Sequence, residues 1–116
     1  MGKTITDVKV VSHRVADDSV KARVLIGEGQ KGAWAMLIGA SHFAGGTAAK
    51  WVTLGKGAAL RGKHLEVSAI VMDVRKETDR LTVTVEISGP QTTRTVVSAV
   101  GKPGDNAAYS IIIRFN

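Results

Sequence analysis

The sequence predicts an all-β fold, a two-sheet antiparallel β-sandwich of seven to eight strands. Three observations predict it. Several runs alternate apolar and polar residues with a period of two, the signature of strands whose side chains point to opposite faces. Clusters of Gly, Pro, Asp, Asn and Ser punctuate these runs at short intervals. No stretch carries a convincing helical period.

Taken in order, Lys3 to Val15 sets Ile5, Asp7, Lys9, Val11, His13 and Val15 against Thr4, Thr6, Val8, Val10 and Ser12. Valine on both sides predicts a bulge or a change of partner midway. Ala16-Asp17-Asp18-Ser19 is turn chemistry. From Val20 to Ile26 the inward set is Val20, Ala22, Val24 and Ile26, with Lys21 and Arg23 outward. Gly27 to Gly32 turns the chain back. Ala33 to Ile38 is apolar on both sides, and Gly39 ends it too soon for a stable helix, so a buried strand is expected.

Residues 39–62 are broken by Gly45, Gly46, Gly55, Gly57 and Gly62, which predicts a crossing connection with one short strand around Lys50 to Leu54, at a sheet edge. The clearest signal follows. Lys63 to Asp73 and Arg80 to Ser88 both alternate, the second placing Leu81, Val83, Val85 and Ile87 on one side and Thr82, Thr84, Glu86 and Ser88 on the other. Together they predict a central hairpin. Thr92 to Val100 and Ala108 to Phe115 complete the set, the last with Tyr109, Ile111, Ile113 and Phe115 inward. Antiparallel strands in this number must stack or close to hide their apolar faces, which leads to a sandwich in an immunoglobulin-like or C2-like arrangement, with a small barrel as the other closure.

A chain of 116 residues is expected to form one domain, residues 1–116. At that size about 65% of the unfolded chain's surface is hidden on folding, enough for a core without staples. The chain has no cysteine, which removes disulfides and thiolate metal sites. Sixteen Lys and Arg against ten Asp and Glu give a net charge of +6, suited to acidic partners and equally to plain solubility. No apolar stretch approaches a membrane span, and the start lacks a signal-peptide core. A full-length chain is therefore expected in the cytoplasm, and one from which a signal was removed outside it. Met1-Gly2 with Thr6 also fits an N-myristoylation pattern that short sequences match by chance.

Gly27-Glu28-Gly29-Gln30-Lys31-Gly32 spells G-x-G-x-x-G after a strand. A dinucleotide fingerprint needs a helix and a βαβ unit there, plus an acidic residue about twenty positions on. None follows between Gly32 and Lys63, so a glycine-rich turn is expected. His13, His42 and His64 are scattered without ligand spacing, and no serine sits in a nucleophile motif, so an enzyme is not expected.

If the strands simply alternate direction, the turns carrying Asp17, Asp18, Asp73, Glu77, Asp79 and Asp105 share one end of the sandwich. Converging carboxylates of this kind would form a calcium site, the one cofactor the sequence raises. Solubilising turn charges are the plainer reading, since Arg14, Arg75, Lys76, Arg80 and Lys102 would crowd the same end. Trp34 reads as core, whereas Trp51, with Lys50 and His42, is the surface candidate for stacking on a sugar. The aromatics are too few for a nucleic-acid stacking sheet. Finally, Ile70, Met72, Val96 and Ile112 fall on the faces opposite the expected core, marking a surface to be covered. The expected role is thus a non-enzymatic binding or assembly module, engaging a protein partner or a second copy of itself. A glycan or anionic membrane surface, and then nucleic acid, are the alternatives.

Overall fold

The computed structural model describes residues 4–27, 30–39, 41–72, 80–88, 92–102 and 104–116, with Phe43 described in its backbone only. Nine strands form among them: β1 (Thr4–His13), β2 (Ser19–Ile26), β3 (Lys31–Ile38), β4 (Ser41–Gly46), β5 (Val52–Lys56), β6 (His64–Met72), β7 (Arg80–Ile87), β8 (Thr93–Val100) and β9 (Asn106–Phe115). One helical turn, α1 (Gly57–Leu60), follows β5. The strands make two sheets, a five-stranded one in the order β1-β9-β6-β3-β4 and a four-stranded one in the order β5-β2-β7-β8. The fold is the expected all-β sandwich. No described helix is long and apolar enough to cross a membrane.

The inward faces are those the alternation assigned. Val20, Ala22 and Val24 of β2 and Leu81, Val83, Val85 and Ile87 of β7 are buried against Leu65, Val67, Ala69 and Val71 of β6 and Tyr109, Ile111, Ile113 and Phe115 of β9. Trp34 and Met36 of β3 join this core. Burial of a large apolar side chain contributes about 1.5–3 kcal/mol, so these rows dominate the fold's stability. Two polar groups fix tryptophan and tyrosine inside it. The Trp34 indole Nε1 donates to the Ala48 carbonyl at 3.2 Å, and the Tyr109 hydroxyl donates to the Leu81 carbonyl at 2.6 Å, tying β9 to β7 across the sandwich.

Three expectations about neighbours are corrected. First, β6 and β7 are not a hairpin, because each lies in a different sheet. Each carries a complete apolar row, and two such rows bury one another best face to face. Seven residues separate Met72 from Arg80, beyond the usual two to five of a hairpin loop. Second, β1 runs parallel to β9, in unshifted register from Thr4 opposite Asn106 to His13 opposite Phe115. The valines on both sides of β1 therefore reflect no bulge: Val8 and Val10 simply stand exposed on the sheet's outer surface. First and last strands can pair in parallel because the whole domain serves as their crossover. Third, residues 39–62 supply two edge strands, one to each sheet, and a turn of helix in place of one short strand.

Candidate functional site

Ile70 and Met72 close β6 on its outward side, and both remain exposed, at 54% and 43%. Around them opens a groove of about 720 Å³. Its walls are Leu25 and Ile26 at the end of β2, Lys31, Gly32 and Ala33 at the start of β3, and Thr47 and Ala49 beyond β4, with Gln30 alongside. That volume lies within the range of small-ligand and anchor pockets, about 300–1,000 Å³. The local sequence explains its shape. Met72 is registered with Lys31 and Ile70 with Ala33, so a short side chain beside Ile70 leaves space above β3. Gly32 permits the tight packing beneath, since a Cβ there would stand 2.4 Å from the Ile70 carbonyl oxygen and 3.1 Å from Ile26. Lys31 is exposed and makes no ion pair among the described residues. The groove therefore combines an apolar lining with one cation.

The outer surface of the five-stranded sheet continues from the groove. Register places Thr6, Ala108, Ile70 and Ala33 in one row and Val8, Ser110, Ser68 and Ala35 in the next. A third row runs through Val10, Ile112, Glu66 and Leu37. Small side chains in the middle rows keep the surface low, with valine and isoleucine standing around them.

No family model, curated protein or solved structure matches the chain. What the site does must therefore be read from its own chemistry.

The sugar-stacking candidates separate by sheet. Trp51 is exposed just ahead of β5, but the Arg23 guanidinium lies over its ring at 4.6 Å from the centroid. Arg23 Nε in turn donates to Glu86 Oε1 at 2.6 Å. One ring face of Trp51 is thus occupied by a cation held in place by a carboxylate. Lys50 is exposed next to it, while His42 stands on β4, at the edge of the other sheet, near Gly45.

Among the described residues, the acids expected at one end are divided between the two ends. Asp17 and Asp18 lie beside the end of β9, where Val15 N bonds the Asn116 carbonyl and the Asp18 carbonyl accepts from Gly57 N. Asp105 precedes the start of β9, a full strand away, about 30 Å at the rise of a β-strand. The extra strand in residues 39–62 is the cause: directions alternate throughout, but β4 and β5 stand where one strand was expected, so β6 to β9 each run opposite to the expected direction. Asp73, Glu77 and Asp79 lie outside the described residues. Asp105 is buried and receives the Lys102 backbone N–H on Oδ2 at 2.8 Å, closing its own turn. Asp17 meets Arg61 at 3.5 Å. Among the described residues no three His, Asp or Glu gather as a metal site requires.

The glycine-rich run leads into a strand and not a helix, and Lys31 and Gly32, expected in the turn, already belong to β3. Gln30 N donates to the Gly27 carbonyl, Gly27 N donates to the Thr82 carbonyl, and a strand follows at Lys31. Glu28 and Gly29 lie outside the described residues. His42 and His64 are exposed, but His13 is buried. Its Nδ1 meets Thr93 Oγ1 at 2.5 Å, joining β1 to β8, and its ring packs edge-on with Phe115, the two centroids 6.3 Å apart. Nε2 is buried without a hydrogen-bond partner among the described residues. Burial pushes its pKa below the usual 6.5, against a smaller opposite pull from the Ser88 backbone.

Proposed function

We propose that this domain is a non-enzymatic binding module whose groove receives an extended apolar segment of a protein partner, with a carboxylate of that segment beside Lys31. The observation that carries this reading is the groove itself, in which Ile70 and Met72 stand exposed next to an exposed lysine. Exposed large apolar side chains that converge on a concavity, rather than scatter, mark a surface meant to be covered. A net charge of +6 favours an acidic partner over a basic one. The low, mixed Ser, Ala and Val surface beside the groove offers a flat continuation against which a protein, more than a small ligand, gains contact. In architecture the sandwich is read as immunoglobulin-like or C2-like. In strand order, its last two strands lie in different sheets, whereas those of an immunoglobulin domain are neighbours.

A displayed library of linear peptides, panned on the intact chain with an excess of the Ile70→Lys/Met72→Lys variant as competitor, tests the reading. Selected peptides are expected to combine apolar residues with Asp or Glu and to shift the backbone amide signals of Lys31, Ala33, Ile70 and Met72. Peptides that bind both proteins equally, or that shift signals elsewhere, would overturn it.

A further inference from the structure

The sandwich has four sheet edges: β1 and β4 in the larger sheet, β5 and β8 in the smaller. An edge strand presents unpaired backbone N–H and C=O groups, which proteins blunt with charges, glycine, bulges or short length. Three of the edges carry such devices. β1 bears exposed Asp7 and Lys9. β4 has six residues, ends in Gly45-Gly46 and shifts register against β3. β5 has five residues, contains Gly55 at φ +138° and faces a register shift in β2.

β8 has one alone, the exposed Arg94 beside its first residue. From Thr95 to Val100 it runs Thr, Val, Val, Ser, Ala, Val, without charge, glycine or proline, and its register against β7 is unbroken. These are residues suited to strand pairing, in the uncharged six-residue length that pairs most readily between chains. Its outward Val96 and Val100 are 47% and 76% exposed.

We propose that β8 pairs antiparallel with β8 of a second copy of this chain, joining the two smaller sheets into one across a two-fold axis. Charge selects this occupant. Two copies of a chain carrying +6 repel wherever like charges meet, and β8 avoids such meetings. With the axis at Val96, Arg94 of one copy faces Ser98 of the other; with the axis at Val97, it faces Val100. Moving the axis on to Ser98 would set Arg94 against Lys102, which disfavours that register. Two-fold pairing also closes on itself and stops at a dimer. The contact is one strand pair, so it belongs with small interfaces, below about 1,200 Å² in total, that form and dissolve with concentration.

Sedimentation equilibrium of the intact chain from micromolar to millimolar concentration tests the proposal. The mass is expected to rise from 12.2 kDa towards twice that value. Val96→Lys and Ser98→Lys, both at exposed positions, are expected to stay monomeric with unchanged circular dichroism. Because the chain has no cysteine, introduced ones report the register. Mild oxidation is expected to cross-link Val96→Cys with itself for an axis at Val96, or with Ser98→Cys for an axis at Val97. Ile70→Cys, on the other sheet, sets the collisional background. A monomer mass throughout, a dimer that persists in Val96→Lys, or cross-linking no faster than the Ile70→Cys background in both arms would each overturn it.

Discussion

Truncating the two exposed residues of the groove, Ile70→Ala with Met72→Ala, removes contact area from binding while leaving folding nearly untouched. The magnitude follows from their exposure. Full burial of an Ile or Met side chain contributes about 1.5–3 kcal/mol. With 54% of Ile70 and 43% of Met72 still exposed, roughly half of that contribution remains for a partner to realise at each position. The pair together therefore supplies about 1.5–3 kcal/mol of affinity, or about tenfold to a hundredfold in Kd. Isothermal titration of a peptide selected on the wild-type chain, without competitor pressure, measures it. Urea unfolding in parallel is expected to change by no more than about 0.5 kcal/mol, the usual range for surface positions. Affinity within twofold of wild type, with folding intact, would refute the assignment of the groove as the binding surface.

Lowering the pH towards about 5, above the range where carboxylates titrate, is expected to cost stability through His13. Its folded pKa lies below the 6.5 of the unfolded chain, so the unfolded state takes the proton first. The contribution is complete above that value, is lost as pH falls through it, and levels off below the folded pKa; His13→Gln is expected to flatten the slope of urea midpoint against pH. Tyr109→Phe deletes the hydroxyl that bridges to the Leu81 carbonyl, a loss of about 1 kcal/mol. With unfolding entropy near 2.1 cal/mol/K per residue, that lowers Tm by about 4 °C in calorimetry for a chain of 116 residues. Gly57→Ala would set a Cβ 1.5 Å from the Ala16 carbonyl oxygen, so the β1–β2 connection must move. The expected cost in urea unfolding is about 3 kcal/mol, the upper end of overpacking effects.

What could be read from the chain, and what could not, divides along a physical line. The side to which a strand residue points depends on a period of two, which is local. Leu81, Val83, Val85 and Ile87 are accordingly all buried, as are Tyr109, Ile111, Ile113 and Phe115. Which strand pairs with which is settled by contacts far apart in sequence. The alternation in β6 and β7 therefore identified two strands but joined them wrongly, and the ten-residue partnership of β1 with β9 left no mark on either. The second strand hidden in residues 39–62 reversed the later strands and so put Asp105 at the opposite end from Asp17 and Asp18. The groove was half legible. Ile70 and Met72 stand out as apolar residues on the polar side of an alternating run, whereas Leu25, Thr47 and Ala49 join them only through folding. His13 shows the same limit, because nothing around Ser12 and Arg14 announces a buried imidazole.

The groove and the β8 edge lie on different parts of the sandwich, and their placement has a consequence for binding strength. The groove draws on the end of β2, the start of β3 and residues 47 to 49, whereas β8 is the far edge of the four-stranded sheet, with β7 between it and β2. A dimer joined at β8 therefore leaves both grooves open, one towards each end of the continuous sheet. Two open sites on one particle gain from multivalency on a surface that displays many partner segments, since the second event occurs at an effective concentration near millimolar. A single peptide in solution gains nothing from it. Val96→Lys is thus expected to leave the titrated affinity for a monovalent peptide unchanged while slowing no association and hastening release from a densely peptide-coated sensor. Equal loss on both would mean that Val96 acts on the groove itself. Equal retention on both would mean that the two copies, even if paired, do not present their grooves to one surface.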